Sequence, residues 1–513
     1  MSTAPSSEKR LNKNIIANII GQSISACLAM IFVPVYVDIL GIEAYGLIGF
    51  FALLQMLLTI LEMGVYPVLG RHFARFTSGE VTAERVRDIF KSYLALSILV
   101  GLILVGVIAA LSDLAASDWL NPTDLSLNTV SECIQMMGII LGLRFVRVVF
   151  RSALLGLQFQ VSYNVILLIN STLRYVGVIA FLLSYEASVT AFFVWQLTVE
   201  ILGLIAFGVL CYCRIPSSSR RSRFSLSCIM DTRSFAAGTI LITLLSVGMR
   251  QIDKLYLSKM VSLDDFGYYM LAFVVASIPL LMVGPLYQAF YPRFVELFAA
   301  GVESNTRRAY LRATMYTGII AATVGVPMMI LPERLILLWS GDDVLATNVG
   351  VYLRWMALGG VLEAILYIPY CAQIAYGWTR LAVVMRALSL VLCLGFIILM
   401  VPIHGALAAA WSWAGVNLLL MCLWIPLMNR RILRGTCLNW YVLSVIVPSS
   451  VAVAGCLFVR FLVPEFDSRG IEFLVMSACI LVVFGAVAGV TFLANRSFGR
   501  LPDRLVSTGS DRP

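Results

Sequence analysis

The chain has 513 residues, of which 60% are hydrophobic and only 13% are charged. Soluble domains carry roughly 25% charged residues, so this composition excludes an ordinary water-soluble fold. The formal net charge is +9. An excess of basic residues is common in proteins that lie in membranes, where Lys and Arg remain on the cytoplasmic side and contact anionic lipid headgroups, so we expect no nucleic-acid partner.

About fourteen apolar stretches follow one another along the chain. A helix of roughly 20 residues crosses the roughly 30 Å hydrocarbon core of a bilayer, and its backbone satisfies its own hydrogen bonds there. The predicted spans lie near residues 15–39, 46–69, 89–112, 130–151, 162–184, 189–213, 236–259, 268–291, 309–332, 348–373, 380–402, 405–428, 440–463 and 471–494. The sequence therefore predicts an all-α polytopic membrane protein with about 14 transmembrane helices.

The connectors between these spans alternate in charge. One set is rich in Lys and Arg, as in 71–91 and 214–233, whereas the other is acidic, as in 113–124. Lys and Arg resist translocation, so the basic connectors are cytoplasmic. An even number of spans then places both termini in the cytoplasm, and we expect no cleaved signal peptide.

An internal repeat divides the chain. Residues 42–46 and 263–267 share one five-residue pattern: an apolar residue, an acidic residue, any residue, an aromatic residue and glycine. A Tyr-Pro pair follows each copy, at the far end of the next predicted span. Six spans separate the two copies, so we predict two six-helix lobes of the same orientation, related by a pseudo-twofold axis. The predicted parts are an amino-terminal lobe (1–213), a basic cytoplasmic linker (214–234), a second lobe (235–428), an accessory helix pair (429–495) and a cytoplasmic tail (496–513).

The metal-ligating residue types form no recognisable site. The 11 cysteines lack metal or redox spacing, and the two histidines, His72 and His404, fall in different connectors. We therefore expect no metal, no cofactor and no histidine-dependent catalysis.

The seventh span carries a dense polar cluster, Arg250, Asp253 and Lys254. A charge at bilayer depth is costly, so it faces a cavity or a partner. The spacing places Arg250 and Lys254 on one face and brings Asp253 close enough to pair with Arg250. Two interpretations stay open here: a cationic substrate site, or an Arg250–Asp253 pair that locks helices together.

Further polar residues lie inside other predicted spans. The cations outnumber the anions, and guanidinium is the natural partner of phosphate, so the set favours an anionic cargo. Glu62 and Glu363 leave a cation-coupling role open, and the Asn and Gln residues either line a cavity or connect helices. The candidates beside the seventh span are Arg174, Arg147, Arg144, Arg354, Glu62, Glu363, Asn18, Gln22 and Gln55, with Glu200 as a further buried acid.

Five segments of the sequence match a known pattern in their order and spacing: Leu40–Gly46, Arg151–Gln158 with Tyr163 and Asn164, Arg250–Lys254, Phe266–Tyr269 and Tyr291–Arg293. They resemble segments of bacterial polysaccharide flippases, the O-antigen and exopolysaccharide translocases of the multidrug/oligosaccharidyl-lipid/polysaccharide superfamily. The resemblance extends over roughly residues 10–430.

The resemblance implies a transporter of the bacterial cytoplasmic (inner) membrane that works by alternating access. The implied cargo is an undecaprenyl-diphosphate-linked oligosaccharide, moved to the outer leaflet for O-antigen, exopolysaccharide or capsule synthesis. Membrane lipids, a polysaccharide polymerase and a chain-length regulator are the other partners it suggests.

Two alternatives remain. A drug/cation antiporter of the same superfamily relies on buried carboxylates and usually has twelve spans. A membrane-embedded polysaccharide polymerase or glycosyltransferase needs a sizeable external catalytic loop, and the longest outside connector here, about 113–129, is short and lacks His, Arg and Lys. We therefore expect a transporter and not an enzyme.

Overall fold

The protein is helical throughout the part that the structure describes. This computed structural model describes residues 24–25, 28–77, 79–217, 222–301, 303–464, 466 and 468–498. Within these residues the β-type backbone pairing is limited to a single bridge between Asn121 and Ser262. The predicted all-α fold class is confirmed.

We number the helices in chain order. They are α1 (Val33–Leu40), α2 (Ile42–Glu62), α3 (Tyr66–Thr77), α4 (Ala83–Leu114), α5 (Leu127–Gly156), α6 (Gln160–Thr172), α7 (Val178–Ser184), α8 (Val189–Arg214), α9 (Leu226–Met260), α10 (Leu263–Ala276), α11 (Ile278–Ala300), α12 (Glu303–Ile330), α13 (Pro332–Ser340), α14 (Asp343–Ala375), α15 (Thr379–His404), α16 (Ala406–Arg431), α17 (Cys437–Tyr441), α18 (Val447–Leu462) and α19 (Arg469–Phe498). Single π-helical turns occur at Ala115–Trp119, Leu173–Gly177 and Val442–Ile446.

Among the described residues, 12 helices are long and apolar enough to cross a membrane. A thirteenth is obtained if Leu226–Ser234 and Ala236–Gly248, which are bent by 52°, form one span. The first predicted span, 15–39, lies mostly outside the described residues, and the short apolar helix Leu28–Leu40 covers the rest. The structure therefore shows 12 to 13 candidate spans, and the expected fourteen are not confirmed.

The second span ends earlier than its apolar stretch predicts. It stops at Glu62 instead of near residue 69, and the amphipathic helix α3 begins at Tyr66. Gly64 lies in the break, where an added Cβ would come 2.8 Å from Ile240. Pro67 stands near the start of α3, where a missing backbone N–H costs least. The break therefore separates an apolar span from a basic surface helix.

Capping side chains set several other helix starts. The hydroxyl of Ser126 accepts a hydrogen bond from the Thr129 N–H at 3.1 Å, and Ser188 does the same for Ala191 at 3.2 Å. Asp342 accepts from two backbone N–H groups of α14. The first turn of a helix leaves such N–H groups without an intrahelical partner, and these caps satisfy them. Helices α5 and α14 therefore begin before the apolar stretches themselves.

The chain divides into two compact units, residues 1–267 and 268–513. Within the first unit α9 packs against α2, where Thr239 donates to the carbonyl of Met63 at 2.7 Å. The seventh predicted span thus belongs by packing to the first unit. The lobe limits predicted from the repeat stay a prediction, because repeat symmetry and packing need not coincide.

The two copies of the repeated motif contact each other within the first unit. A Cβ added at Gly46 would lie 2.2 Å from the carbonyl oxygen of Leu263. One added at Gly267 would lie 2.6 Å from the carbonyl oxygen of Ile42. Only glycine allows backbones to approach this closely. The glycine that ends each motif is therefore required by the close approach of residues 42–46 to residues 263–267.

The acidic residue of the first motif, Glu43, is buried and holds the connector between α4 and α5. Its carboxylate accepts hydrogen bonds from three consecutive backbone N–H groups, those of Thr123, Asp124 and Leu125, the last at 2.8 Å. Bonds of this kind to an ionised acceptor are stronger than neutral ones. Glu43 is thus a structural anchor as well as one acidic charge in a connector.

In the second unit an arginine ties the carboxyl-terminal helix pair to its neighbours. Arg334 of α13 pairs with Glu472 of α19, and it donates to the carbonyls of Val463 and Pro464 at 3.1 and 2.8 Å. Both charged side chains are largely buried. This contact fixes the connector between α18 and α19 against α13.

Candidate functional site

A cluster of three arginines and two glutamates lies among the spans of the first unit. At its centre Glu200 of α8 binds two cations. Arg147 of α5 places Nε 2.7 Å from Glu200 Oε1 and Nη2 3.4 Å from Oε2. Arg174 pairs with the same Oε2. The Glu200 side chain is only 1% exposed, so a carboxylate held by two guanidinium groups stands in the interior of the unit.

Arg144 lies one turn before Arg147 on α5 and has weaker partners. Its Nε is 3.5 Å from Glu62 Oε1, at the end of α2, and its Nη1 donates to the amide oxygen of Gln55. The side chain of Arg144 is 26% exposed, compared with 15% for Arg147 and 12% for Arg174. Arg144 is therefore the most accessible cation of the cluster.

A π-helical turn at Leu173–Gly177 positions Arg174. Such a turn frees backbone carbonyls from the regular ladder, and it is often found at functional sites. Here three successive carbonyls of the turn accept hydrogen bonds from side chains. The indole of Trp195 donates to the carbonyl of Leu173 at 2.8 Å, and the amide of Gln196 donates to that of Arg174 at 3.3 Å. The hydroxyl of Tyr36 donates to the carbonyl of Tyr175 at 2.7 Å. Side chains from two other helices thus hold the turn in place.

Close packing of α6 on α8 brings Glu200 opposite the arginines. The amide of Asn170 donates to the carbonyl of Val199 at 3.0 Å, directly beside Glu200. Gly203, one turn further along α8, makes room for this amide, since an added Cβ would come 2.5 Å from its nitrogen. The π face of Phe207 also lies 5.7 Å from the Arg147 guanidinium.

Three cations and two anions leave this cluster with one net positive charge. Removing one partner of a buried ion pair costs roughly 3–5 kcal/mol, because it leaves an uncompensated charge. The charges of the cluster therefore depend on one another, and the excess charge is positive. An anion with oxygen acceptors is the ligand that this chemistry favours.

The cluster that the sequence predicts in the seventh span forms around Lys254. This side chain is 2% exposed, and its Nζ lies 3.1 Å from Asp253 Oδ2 and donates to the Arg250 carbonyl at 3.1 Å. The side chain of Arg250 is exposed. The structure thus places Lys254 in the interior of the first unit as an ion-pair partner of Asp253.

The other predicted cavity residues lie in the second unit or outside the described residues. Arg354 pairs with Glu333 at 2.9 Å, and both side chains are 46% exposed. Glu363 lines a small cleft that Arg386 and Asn417 also line. Asn18 and Gln22 fall outside the described residues. The structure brings Arg144, Arg147, Arg174, Glu62 and Gln55 together in one cluster.

Glu200 is a site residue that the sequence marks only as a buried acid. Its position in the middle of the sixth predicted span is the available signal, because an acid at that depth needs a partner. The sequence does not show which cations it meets, since Arg147 and Arg174 lie on two other helices.

The profile of the family described as "Polysaccharide biosynthesis protein" matches residues 11–298. This match extends over more than half of the chain. The chain belongs to the polysaccharide biosynthesis protein family. A search of curated proteins by sequence returned no match.

Solved structures show the fold of this family member. The chain resembles "Lipid II flippase MurJ, inward closed conformation" with a TM-score of 0.71 and 12% identity, over 95% of this chain and 99% of that one. It also resembles an inward-facing multidrug resistance MATE family transporter of the MOP superfamily, with a TM-score of 0.68 and 14% identity over 82% and 98% of the two chains. An outward-facing MATE structure matches with a TM-score of 0.55 and 14% identity over 83% and 95%. The chain therefore has the fold of these flippase and transporter structures.

Proposed function

We propose that this polysaccharide biosynthesis protein is a flippase for an oligosaccharide linked to undecaprenyl diphosphate. It moves this cargo from the cytoplasmic to the outer leaflet of the bacterial inner membrane by alternating access. Both termini are cytoplasmic. The product serves O-antigen, exopolysaccharide or capsule synthesis, next to a polymerase and a chain-length regulator.

The arginine cluster of the first unit is the observation that carries this proposal. A diphosphate in the membrane needs cations at bilayer depth, and guanidinium binds phosphate oxygens through paired hydrogen bonds. The cluster offers three such groups on spans that are otherwise apolar, with one net positive charge. The excess positive charge at this depth favours an anionic headgroup over an uncharged one.

The pairing of the carboxylates disfavours a drug/cation antiporter. A site for a cationic drug or for a coupling cation needs an acid whose charge is available. Both acids of the cluster, Glu62 and Glu200, instead lie within ion-pair distance of arginines. The excess charge would repel a cation.

The proposal is tested in cells of the source bacterium that lack the chromosomal gene. We expect lipid-linked oligosaccharide to accumulate on the cytoplasmic face, and a plasmid copy of the wild type to clear it. Arg144→Ala should fail to clear it at normal membrane abundance, whereas Arg75→Ala, in an exposed ion pair with Glu80, should succeed.

Three results would contradict the proposal. Full clearance by a well-expressed Arg144→Ala/Arg174→Ala protein would remove the cluster from substrate binding. Export of ethidium without any effect on the lipid would indicate the antiporter. Accumulation of complete but unpolymerised units on the outer face would indicate a polymerase.

A further inference from the structure

The second unit contains a basic cavity of about 480 Å³ where α16 ends and the connector to α17 begins, on the predicted cytoplasmic side. Small-molecule sites measure roughly 300–1,000 Å³, so this cavity is large enough for a ligand and not only for one water molecule. None of the described residues that line it is acidic. They are Pro426, Asn429, Arg430, Arg434, Gly435 and Cys437.

The two arginines of the lining have donors available for an anion. Both are exposed, and within the described part of the chain neither forms an ion pair. Arg434 uses Nε for the carbonyl of Arg430 at 3.3 Å. A guanidinium has five N–H donors in a planar fork that fits phosphate oxygens. Arg307 of α12 adds a third positive charge next to the cavity, because its Nη2 donates to the carbonyl of Gly435 at 3.3 Å.

The lining also includes a buried amide whose bonding capacity is unused. Asn429 is only 2% exposed, and neither its nitrogen nor its oxygen has a hydrogen bond of normal geometry to a described residue. The hydroxyl of Tyr310 lies beside it and is also without such a bond. Buried polar groups are nearly always satisfied, so an unsatisfied one indicates bound water or a ligand. The positive-inside rule explains the arginines but not this amide.

Apolar side chains beside the cavity favour a lipid over a soluble anion. Leu427 and Leu438 are neighbours of lining residues along the chain, and they are 42% and 69% exposed. Leu423, one turn before Leu427 on α16, is 42% exposed. Acyl chains can cover such side chains. The cytoplasmic leaflet supplies anionic lipids, and basic pockets between helices on that side suit their headgroups.

We infer that the basic cavity binds the headgroup of an anionic phospholipid of the cytoplasmic leaflet. The phosphate binds Arg430 and Arg434, and a headgroup hydroxyl, as in phosphatidylglycerol, bonds to Asn429, whose amide offers both a donor and an acceptor. The site lies within the second unit and is separate from the arginine cluster of the first. It does not depend on the identity of the transported cargo.

The test is native mass spectrometry of the full-length protein, delipidated in detergent and titrated with phosphatidylglycerol. Arg430→Gln/Arg434→Gln should bind one lipid fewer per chain than the wild type at low lipid concentration. The affinity of that site should fall at least about tenfold, because hydrogen bonds to a charged group are lost. The comparison with the wild type separates this site from any other that binds the same lipid.

Two controls remove charge without touching the basic cavity. Arg293→Gln/Arg496→Gln takes the same charge from two exposed arginines of the same unit. Arg431→Gln changes the residue next to Arg430, whose guanidinium instead lies 4.4 Å from the centre of the Trp378 ring. Both should keep the wild-type number of bound lipids.

The amide is tested with phosphatidylmethanol, an anionic lipid without headgroup hydroxyls. The wild type should prefer phosphatidylglycerol by about fivefold, which corresponds to one hydrogen bond. Asn429→Leu should lose this preference, and it should fold because an apolar side chain of similar size leaves no polar group unsatisfied. If it folds poorly, Asn429→Ala should show the same loss.

Three results would overturn the inference. Equal binding of phosphatidylglycerol by the wild type and by folded Arg430→Gln/Arg434→Gln would remove the site. An equal loss in Arg293→Gln/Arg496→Gln would show general surface charge instead of a site. Displacement of the lipid by an equal concentration of soluble glycerol 3-phosphate would assign the cavity to a soluble phosphate ester. Translocation by the first unit's arginine cluster is unaffected by any of these results.

Discussion

Arg147 and Glu200 form a buried ion pair, in which Nε lies 2.7 Å from Oε1 and Nη2 donates a hydrogen bond of 3.4 Å to Oε2. The pair lies between two spans of the first unit, and Arg174 from a third helical segment binds the same carboxylate. The packing of three helical segments of the unit therefore depends on the side chain of Glu200.

The first prediction concerns this dependence. Glu200→Gln should destabilise the protein by about 3–5 kcal/mol, because Arg147 and Arg174 would then face each other without an anion. We expect low membrane abundance and a lowered melting temperature in detergent. The triple variant Arg147→Met/Arg174→Met/Glu200→Met should recover much of the loss, since it leaves no unpaired charge. Normal stability of Glu200→Gln would show that the cluster is not held by this acid.

The second prediction concerns the crossing of the repeated motifs. Gly46→Ala and Gly267→Ala should each reduce folded protein strongly, because the new methyl group meets backbone oxygen that cannot move aside. Gly106→Ala on α4 is the matched control, since nothing lies within 4 Å of its added Cβ. The control should be neutral or stabilising by up to about 1 kcal/mol. Fluorescence-detected size-exclusion chromatography of tagged variants gives the comparison, and equal profiles for all three would contradict the crossing.

The third prediction concerns pH and His72 on α3. Burial, and then the neighbouring Arg75, Arg71 and Arg85, lower the pKa of this imidazole from its usual 6.5. Because the folded pKa lies below the unfolded one, the neutral form is favoured in the native state. The contribution of His72 to the stability of the folded protein is therefore fully present above pH 6.5, and it is lost as the pH falls through the folded pKa. Thermal melts of His72→Gln should lose less stability on acidification than the wild type, and parallel pH profiles would refute this role.

The fourth prediction is the topology. In a background without native cysteines, among which Cys213 and Cys422 are exposed, single cysteines at Asp118 and Asp342 should react with an impermeant maleimide in intact cells. Cysteines at Arg85 and Arg431 should react only after permeabilisation, because basic connectors stay in the cytoplasm. All four positions are exposed, so a lack of reaction reports sidedness. External labelling at Arg85 would invert the orientation.

Much of the helical fold could be predicted from hydropathy, because each span must be apolar over its whole length. Hydropathy could not predict the break at Gly64, because the break depends on the position of Pro67. It also could not predict the early starts of α5 and α14, because these depend on capping residues that lie outside the apolar stretches. The number of spans stays at 12 to 13 for the described residues.

For the site, sequence gives the depth of a charge but not its partners. Arg174 and Glu200 were both visible as charges deep in predicted spans, whereas their meeting depends on how Asn170 packs on α8 next to Gly203. Glu43 illustrates the same limit. The sequence shows it only as the acidic position of the first repeated motif, and only the fold shows that it binds three backbone N–H groups.

The most direct test of the account is translocation by the purified protein in proteoliposomes. The probe is a fluorescent oligosaccharide on undecaprenyl diphosphate, and quenching by an impermeant reductant measures how much has changed leaflet. We predict rapid exchange with the wild type, near-background exchange with Arg144→Ala, and wild-type exchange with Arg75→Ala. Background exchange by the well-folded wild type, or full exchange by Arg144→Ala, would contradict the assignment of this cluster to a diphosphate-linked cargo.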